Sequence, residues 1–114
     1  MGEYRRGEVV LVKFPFTDLR TTKLRPAVVL GVQGDDLIVV GIFSSIPAVL
    51  QDTWLLVEEH DPHLAQTGLR RRSVIKGEKL AVLHRSIVHS TIGSLPPSLL
   101  TSLEQRVKRA LHLP

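Results

Sequence analysis

Apolar residues fall in short, β-branched runs over most of the chain and change to a helical period near its end. Residues 8–13 read Glu-Val-Val-Leu-Val-Lys, preceded by Gly7 and followed closely by Pro15, which predicts a first strand. A second apolar run covers residues 25–32 and a third covers residues 37–42. The polar turn Gln33-Gly-Asp-Asp36 between them predicts a hairpin. Further strands are predicted at residues 53–57, 73–76 and 80–83, separated by segments rich in charge and histidine. In the tail, Leu99, Leu103, Val107 and Leu111, with Ala110, share one face at helical spacing, while most charges there face away. Pro96 and Pro97 suit the start of that helix. The pattern predicts a mainly β fold, a small barrel with a C-terminal α-helix laid over it, rather than an alternating parallel sheet.

At 114 residues the chain suits one domain spanning residues 1–114. Its 43% hydrophobic and 23% charged residues fit an ordered globule. There is no cysteine, which excludes disulfides and thiolate metal sites. The N-terminal residues reach a strand without a signal-like apolar segment, and no apolar run approaches the roughly 20 residues of a membrane span. A cytoplasmic location without membrane contact is therefore expected.

Fifteen basic against eleven acidic residues give a net charge of +4, which favours an anionic partner such as nucleic acid. The run Arg70-Arg71-Arg72 and the loop residues Arg20 and Lys23 are candidates for phosphate contacts. The arginine run has a second reading, as a solvated strand edge that discourages aggregation. Phe14, Phe16 or Trp54 could stack a base, although five aromatic residues are few for a barrel core. The loop over residues 14–23, polar and basic at its far end, is expected to be mobile and to carry function. His60 and His63 lie in a charged string that Pro62 keeps from being helical, so no metal site is expected there.

Five stretches, taken in order, form a joint signature. They are Gly7-Glu-Val-Val-Leu-Val-Lys-Phe-Pro-Phe16, Lys23-Leu-Arg-Pro-Ala-Val-Val-Leu30, Val39-Val-Gly-Ile-Phe-Ser-Ser45, Ser73-Val-Ile-Lys-Gly-Glu-Lys-Leu80 and Ile92-Gly-Ser-Leu95. In order and spacing they are similar to the PemK/MazF toxins of type II toxin-antitoxin systems. The resemblance covers nearly the whole chain from Gly7. It implies an SH3-like barrel that forms a homodimer, cleaves single-stranded RNA at short motifs without metal or cofactor, and is silenced by a cognate antitoxin.

RNA carries its own nucleophile, the 2′-hydroxyl, so a catalyst must remove that proton, stabilise charge on the phosphorane and assist the leaving oxygen. Arg25 matches the family's catalytic arginine in its Arg-Pro motif, and a guanidinium presents paired donors that remain charged at any relevant pH. Pro26 biases Arg25 towards an extended backbone. Ser44 falls where many relatives carry threonine and keeps the hydroxyl; Ser45 could assist or only form a turn. Glu78 and Lys76 fall near positions implicated in proton transfer and phosphate holding, with an exposed turn as the alternative. Val82-Leu83-His84 departs from the family's usual Thr-Ile-Asp or Thr-Leu-Asp, and His84 is the histidine carried forward as an RNA contact or acid-base group. A gyrase-poisoning protein of the CcdB type and an inactive RNA binder are the rival readings. The apolar stretch Ile46-Pro-Ala-Val-Leu50 belongs either to an interface or to the core.

Overall fold

The computed structural model describes residues 3–13 and 23–114. Phe14, Phe16 and Arg20 of the predicted functional loop lie outside them. In chain order come β1 (Glu8–Lys13), β2 (Leu24–Gln33), β3 (Asp36–Phe43), β4 (Trp54–Val57), a one-turn helix α1 (Leu64–Thr67), β5 (Ser73–His84), a 3-10 turn (Arg85–Ile87), β6 (Val88–Ser94) and helix α2 (Pro97–Ala110). The six strands form one antiparallel sheet in the order β4-β5-β3-β2-β1-β6.

Among the described residues the sheet ends at β4 and β6 rather than closing on itself, so the SH3-like description holds broadly, for strand layout and covering helix. Two predicted elements are revised. The runs at residues 73–76 and 80–83 form the single strand β5, because Gly77-Glu78-Lys79 make a bulge and not a turn. There the pairing with β3 jumps from Val40↔Leu80 to Ile42↔Ile75, and Gly77 N–H donates to the Thr53 carbonyl at 2.9 Å. Strand β6 was not anticipated. Its cue is the alternation of Val88, Ser90 and Ile92 with exposed His89 and Thr91.

Neighbouring residues of a strand point to opposite faces, so the division of Val9 and Val10 between two apolar clusters places a core on each side of the sheet. The first contains Val9, Val28, Val40, Ile42, Leu55, Val57 and Ile75, and α2 covers it with the fully buried Leu103 flanked by Leu99, Leu100 and Val107. Burying a leucine this completely contributes about 1.5–3 kcal/mol. The second gathers Val10, Val12, Ala27, Val29, Leu37, Val39 and Leu83 beneath Tyr4, Ala81 and Val88. Pro97 opens α2, where a missing N–H costs nothing, and Lys108 and Arg109 complement the partial negative charge of its last turn. Among the described residues no helix is long and apolar enough to cross a membrane.

The segment Ile46-Pro-Ala-Val-Leu50 is not core. Val49 is 76% and Leu50 40% exposed, on the loop that joins β3 to β4. Arg106 and Arg109 of α2 tie the far end of that loop by donating to the Asp52 carbonyl at 2.8 and 3.2 Å.

Candidate nucleic-acid cleft

The antiparallel order brings the end of β1, the start of β2, the end of β3 and the start of β5 to one end of the sheet. Strand β2 stays paired with β1 through Arg25 and Leu24, but its pairing with β3 begins only at Ala27↔Gly41. Pro26 has no N–H to give β3, so the ladder stops and the two strands part. Beside this opening lies a cleft of about 550 Å³. Its apolar surfaces come from Leu11, Leu24, Pro26, Ile42, Leu69 and Ile92, and its polar ones from Lys23, Arg25, Ser44, Arg70, Arg71 and Ser73.

The elbow between α1 and β5 supplies Arg70 and Arg71, and two glycines fix it. Gly68 adopts φ +78° and lies so close to the Ile92 backbone that any β-carbon would collide with it. A β-carbon on Gly93 would come within 2.5 Å of the Thr67 carbonyl oxygen. Buried Thr67 locks the same elbow: its hydroxyl donates to the Leu64 carbonyl at 2.6 Å and accepts from Leu69 N–H at 3.1 Å. The hydroxyl of buried Ser73 donates to the Arg71 carbonyl at 2.9 Å.

Sequence reasoning anticipated Lys23, Arg25, Ser44, Arg70 and Arg71, and all five line this cleft. Ser73 also lines the cleft and was not anticipated; a small hydroxyl at the first position of a buried strand was the available signal. Ser45, exposed beyond Ser44, does not line the cleft, and Arg72 turns to Glu58, its Nε donating to Oε1 at 2.8 Å.

Lys76, Glu78 and His84 are engaged elsewhere. Lys76 lies opposite Trp54 in the β4–β5 ladder, its ammonium 4.4 Å from the Trp54 ring centre and 4.7 Å from that of Phe43. Glu78 accepts from Thr53 Oγ1 at 2.7 Å and from Trp54 Nε1 at 2.8 Å. Partial burial pushes its carboxyl up, but these two bonds, its own backbone N–H and the Lys79 charge outweigh burial and hold it below the ordinary value of 4.5. Glu78 lines a separate, larger depression of about 790 Å³ with Trp54, Arg109 and Leu113. In that depression Arg109 is bonded to a backbone carbonyl and the carboxylate to the indole, so it offers no comparable group of cations. His84 stands at the far end of β5 opposite Asp36 and caps the 3-10 turn, with Nδ1 2.8 Å from Ser86 Oγ and accepting from Ser86 N–H. Among the described residues no cluster of three histidine, aspartate or glutamate side chains could hold a metal.

The sequence model of the PemK-like, MazF-like toxins of type II toxin-antitoxin systems matches residues 5–111. The chain belongs to this family. No curated protein matches it significantly in sequence. Among solved structures, a mycobacterial endoribonuclease in complex with its cognate antitoxin superimposes with a TM-score of 0.74 at 16% identity, over 98% of each chain. The Mycobacterium tuberculosis toxin MazF-mt6 gives 0.72 at 18% identity, over 94% of this chain and 98% of its own. The MazE-MazF structure from Deinococcus radiodurans gives 0.71 at 17%, over 96% of each. This toxin thus has the MazF fold, including the C-terminal helix, across almost its whole length.

Proposed function

We propose that this toxin is a metal-independent endoribonuclease of the cytoplasm that cleaves single-stranded RNA, acts as a homodimer and is held silent by a cognate antitoxin. The carrying observation is that Arg25 and Ser44 share one cleft with Lys23, Arg70 and Arg71 in a member of this toxin family. Similar solved toxins that are endoribonucleases or antitoxin complexes support the same reading.

In the proposed reaction the 2′-hydroxyl of the nucleotide before the cut loses its proton and its oxygen bonds to phosphorus. The phosphorus–O5′ bond breaks and O5′ takes up a proton, leaving a 2′,3′-cyclic phosphate and a 5′-hydroxyl. Arg25 binds two non-bridging oxygens and stabilises the charge that builds on them in the transition state. Ser44 donates a hydrogen bond to the same phosphate and keeps it in line. Lys23 holds the strand. The described lining of the cleft contains neither carboxylate nor imidazole, so Lys76, Glu78 and His84 take no part in this scheme, and the proton leaves to water or to a group outside that lining.

Replacing Arg25 tests it. Arg25→Ala should slow cleavage of an RNA oligomer by roughly 100-fold or more, the order expected for loss of one donor aimed at the transition state, about 3 kcal/mol. Cleavage by Arg25→Ala at the wild-type rate would remove the proposed catalytic centre.

A further inference from the structure

We propose that Arg70 and Arg71, without Arg72, form a second phosphate site that binds a backbone phosphate other than the one being cut. The proposal rests on the reading of the cleft as an RNA site and deepens it. In the sequence the three arginines are equivalent; in the fold they are not. Arg72 is committed to Glu58 through its Nε, whereas Arg70 and Arg71 line the cleft and are paired with no acid among the described residues.

The site is built rather than incidental. The backbone carrying the two guanidinium groups is clamped on both sides: Leu69 before them is buried, and Ser73 after them holds the Arg71 carbonyl. Gly68 and Gly93 press the elbow against the β6 backbone with no room for a side chain at either position. Fixing the roots of the side chains lowers the ordering cost of each contact, which distinguishes this pair from arginines on a loose loop. Two forked cations near Arg25, with aliphatic surface between strands, match a phosphodiester strand in which an unpaired nucleoside lies across that surface and its flanking phosphates reach separate cations. Glu58 adds direction. By neutralising Arg72 and placing a carboxylate beside it, Glu58 makes that side of the elbow unattractive to phosphate.

The test measures affinity of the full chain for a 2′-O-methyl RNA oligomer, which cannot be cut, over a range of salt concentrations. Each phosphate contact to a single strand contributes about 0.7 to the slope of log affinity against log salt. The Arg70→Ala/Arg71→Ala variant, which loses one phosphate contact, should therefore have a slope shallower by about 0.7, and Arg72→Ala a slope equal to wild type. Equal slopes for wild type and the double variant, an equal loss in Arg72→Ala, or no binding by wild type at low salt would each overturn the site. Cleavage of unmodified RNA is scored separately. A wild-type protein that binds with the predicted slopes yet cuts nothing removes the nuclease reading and keeps the phosphate site, while one that cuts RNA with coincident slopes does the reverse.

Discussion

Gly93→Ala is expected to destabilise the protein by about 1–3 kcal/mol and to weaken RNA binding, although residue 93 does not line the cleft. The added β-carbon would meet the Thr67 carbonyl oxygen at 2.5 Å, whereas ordinary van der Waals contact begins at 3.4 Å, so α1 and β6 must separate by nearly an ångström. The obstacle is backbone, not a flexible side chain, and the Thr67 hydroxyl ties it down by donating to the Leu64 carbonyl and accepting from Leu69 N–H. For a chain of this size each kcal/mol lowers Tm by roughly 4 °C, so thermal unfolding should shift down by about 4–12 °C. Gly68→Ala should cost more, because it adds the penalty of a left-handed backbone at φ +78°, about 1 kcal/mol, to a similar collision. Gly34→Ala is the control: at φ +60° it has the same backbone penalty, but nothing lies within 4 Å of the new carbon. If Gly93→Ala were as stable as wild type, or Gly68→Ala no worse than Gly34→Ala, the elbow would not be held by close backbone contact. The placement of Arg70 and Arg71 would then need another explanation.

Glu78→Gln should lower stability at neutral pH, and the difference from wild type should shrink as pH falls. The sign follows from a folded pKa held below 4.5: the contribution of the carboxylate is present above the unfolded value and is lost as pH drops through the folded one. Urea unfolding at pH 7 and near pH 3 measures it, and a difference that grows on acidification would contradict the assignment. Ser44→Ala should slow RNA cleavage by about tenfold, the order of one lost hydrogen bond, while Ser45→Ala leaves it nearly unchanged because Ser45 is outside the cleft. Equal losses in single-turnover rates would count against the ordering.

The short β-branched runs at residues 8–13, 25–32 and 37–42 read directly as β1, β2 and β3, and their continuous apolar character fits strands whose successive residues enter two apolar cores. The i, i+4 spacing of Leu99, Leu103 and Val107 likewise marked α2. What failed locally was the treatment of Lys76-Gly-Glu-Lys79 as a turn, because its distinguishing contacts are distant in sequence. Gly77 is required there by the approach of the Arg106 backbone, and Glu78 by Trp54 and Thr53. The candidate cleft was legible as residue types, with Arg25, Ser44 and the arginine run on separate strands and loops, and the antiparallel order brings them to one end. Nothing local distinguishes Arg72 from Arg70 and Arg71, since its partner Glu58 is fixed only by the path of the chain through α1.

The most direct measurement incubates the purified toxin, free of antitoxin, with single-stranded RNA carrying varied sequence and with the matching DNA in EDTA, and maps the product ends. Discrete RNA cuts ending in 2′,3′-cyclic phosphate and 5′-hydroxyl, with the DNA intact, are the predicted result. Cleavage that appears only when a divalent metal is restored, equal cutting of DNA, or 3′-hydroxyl ends would contradict a mechanism in which Arg25 and Ser44 assist attack by the 2′-hydroxyl.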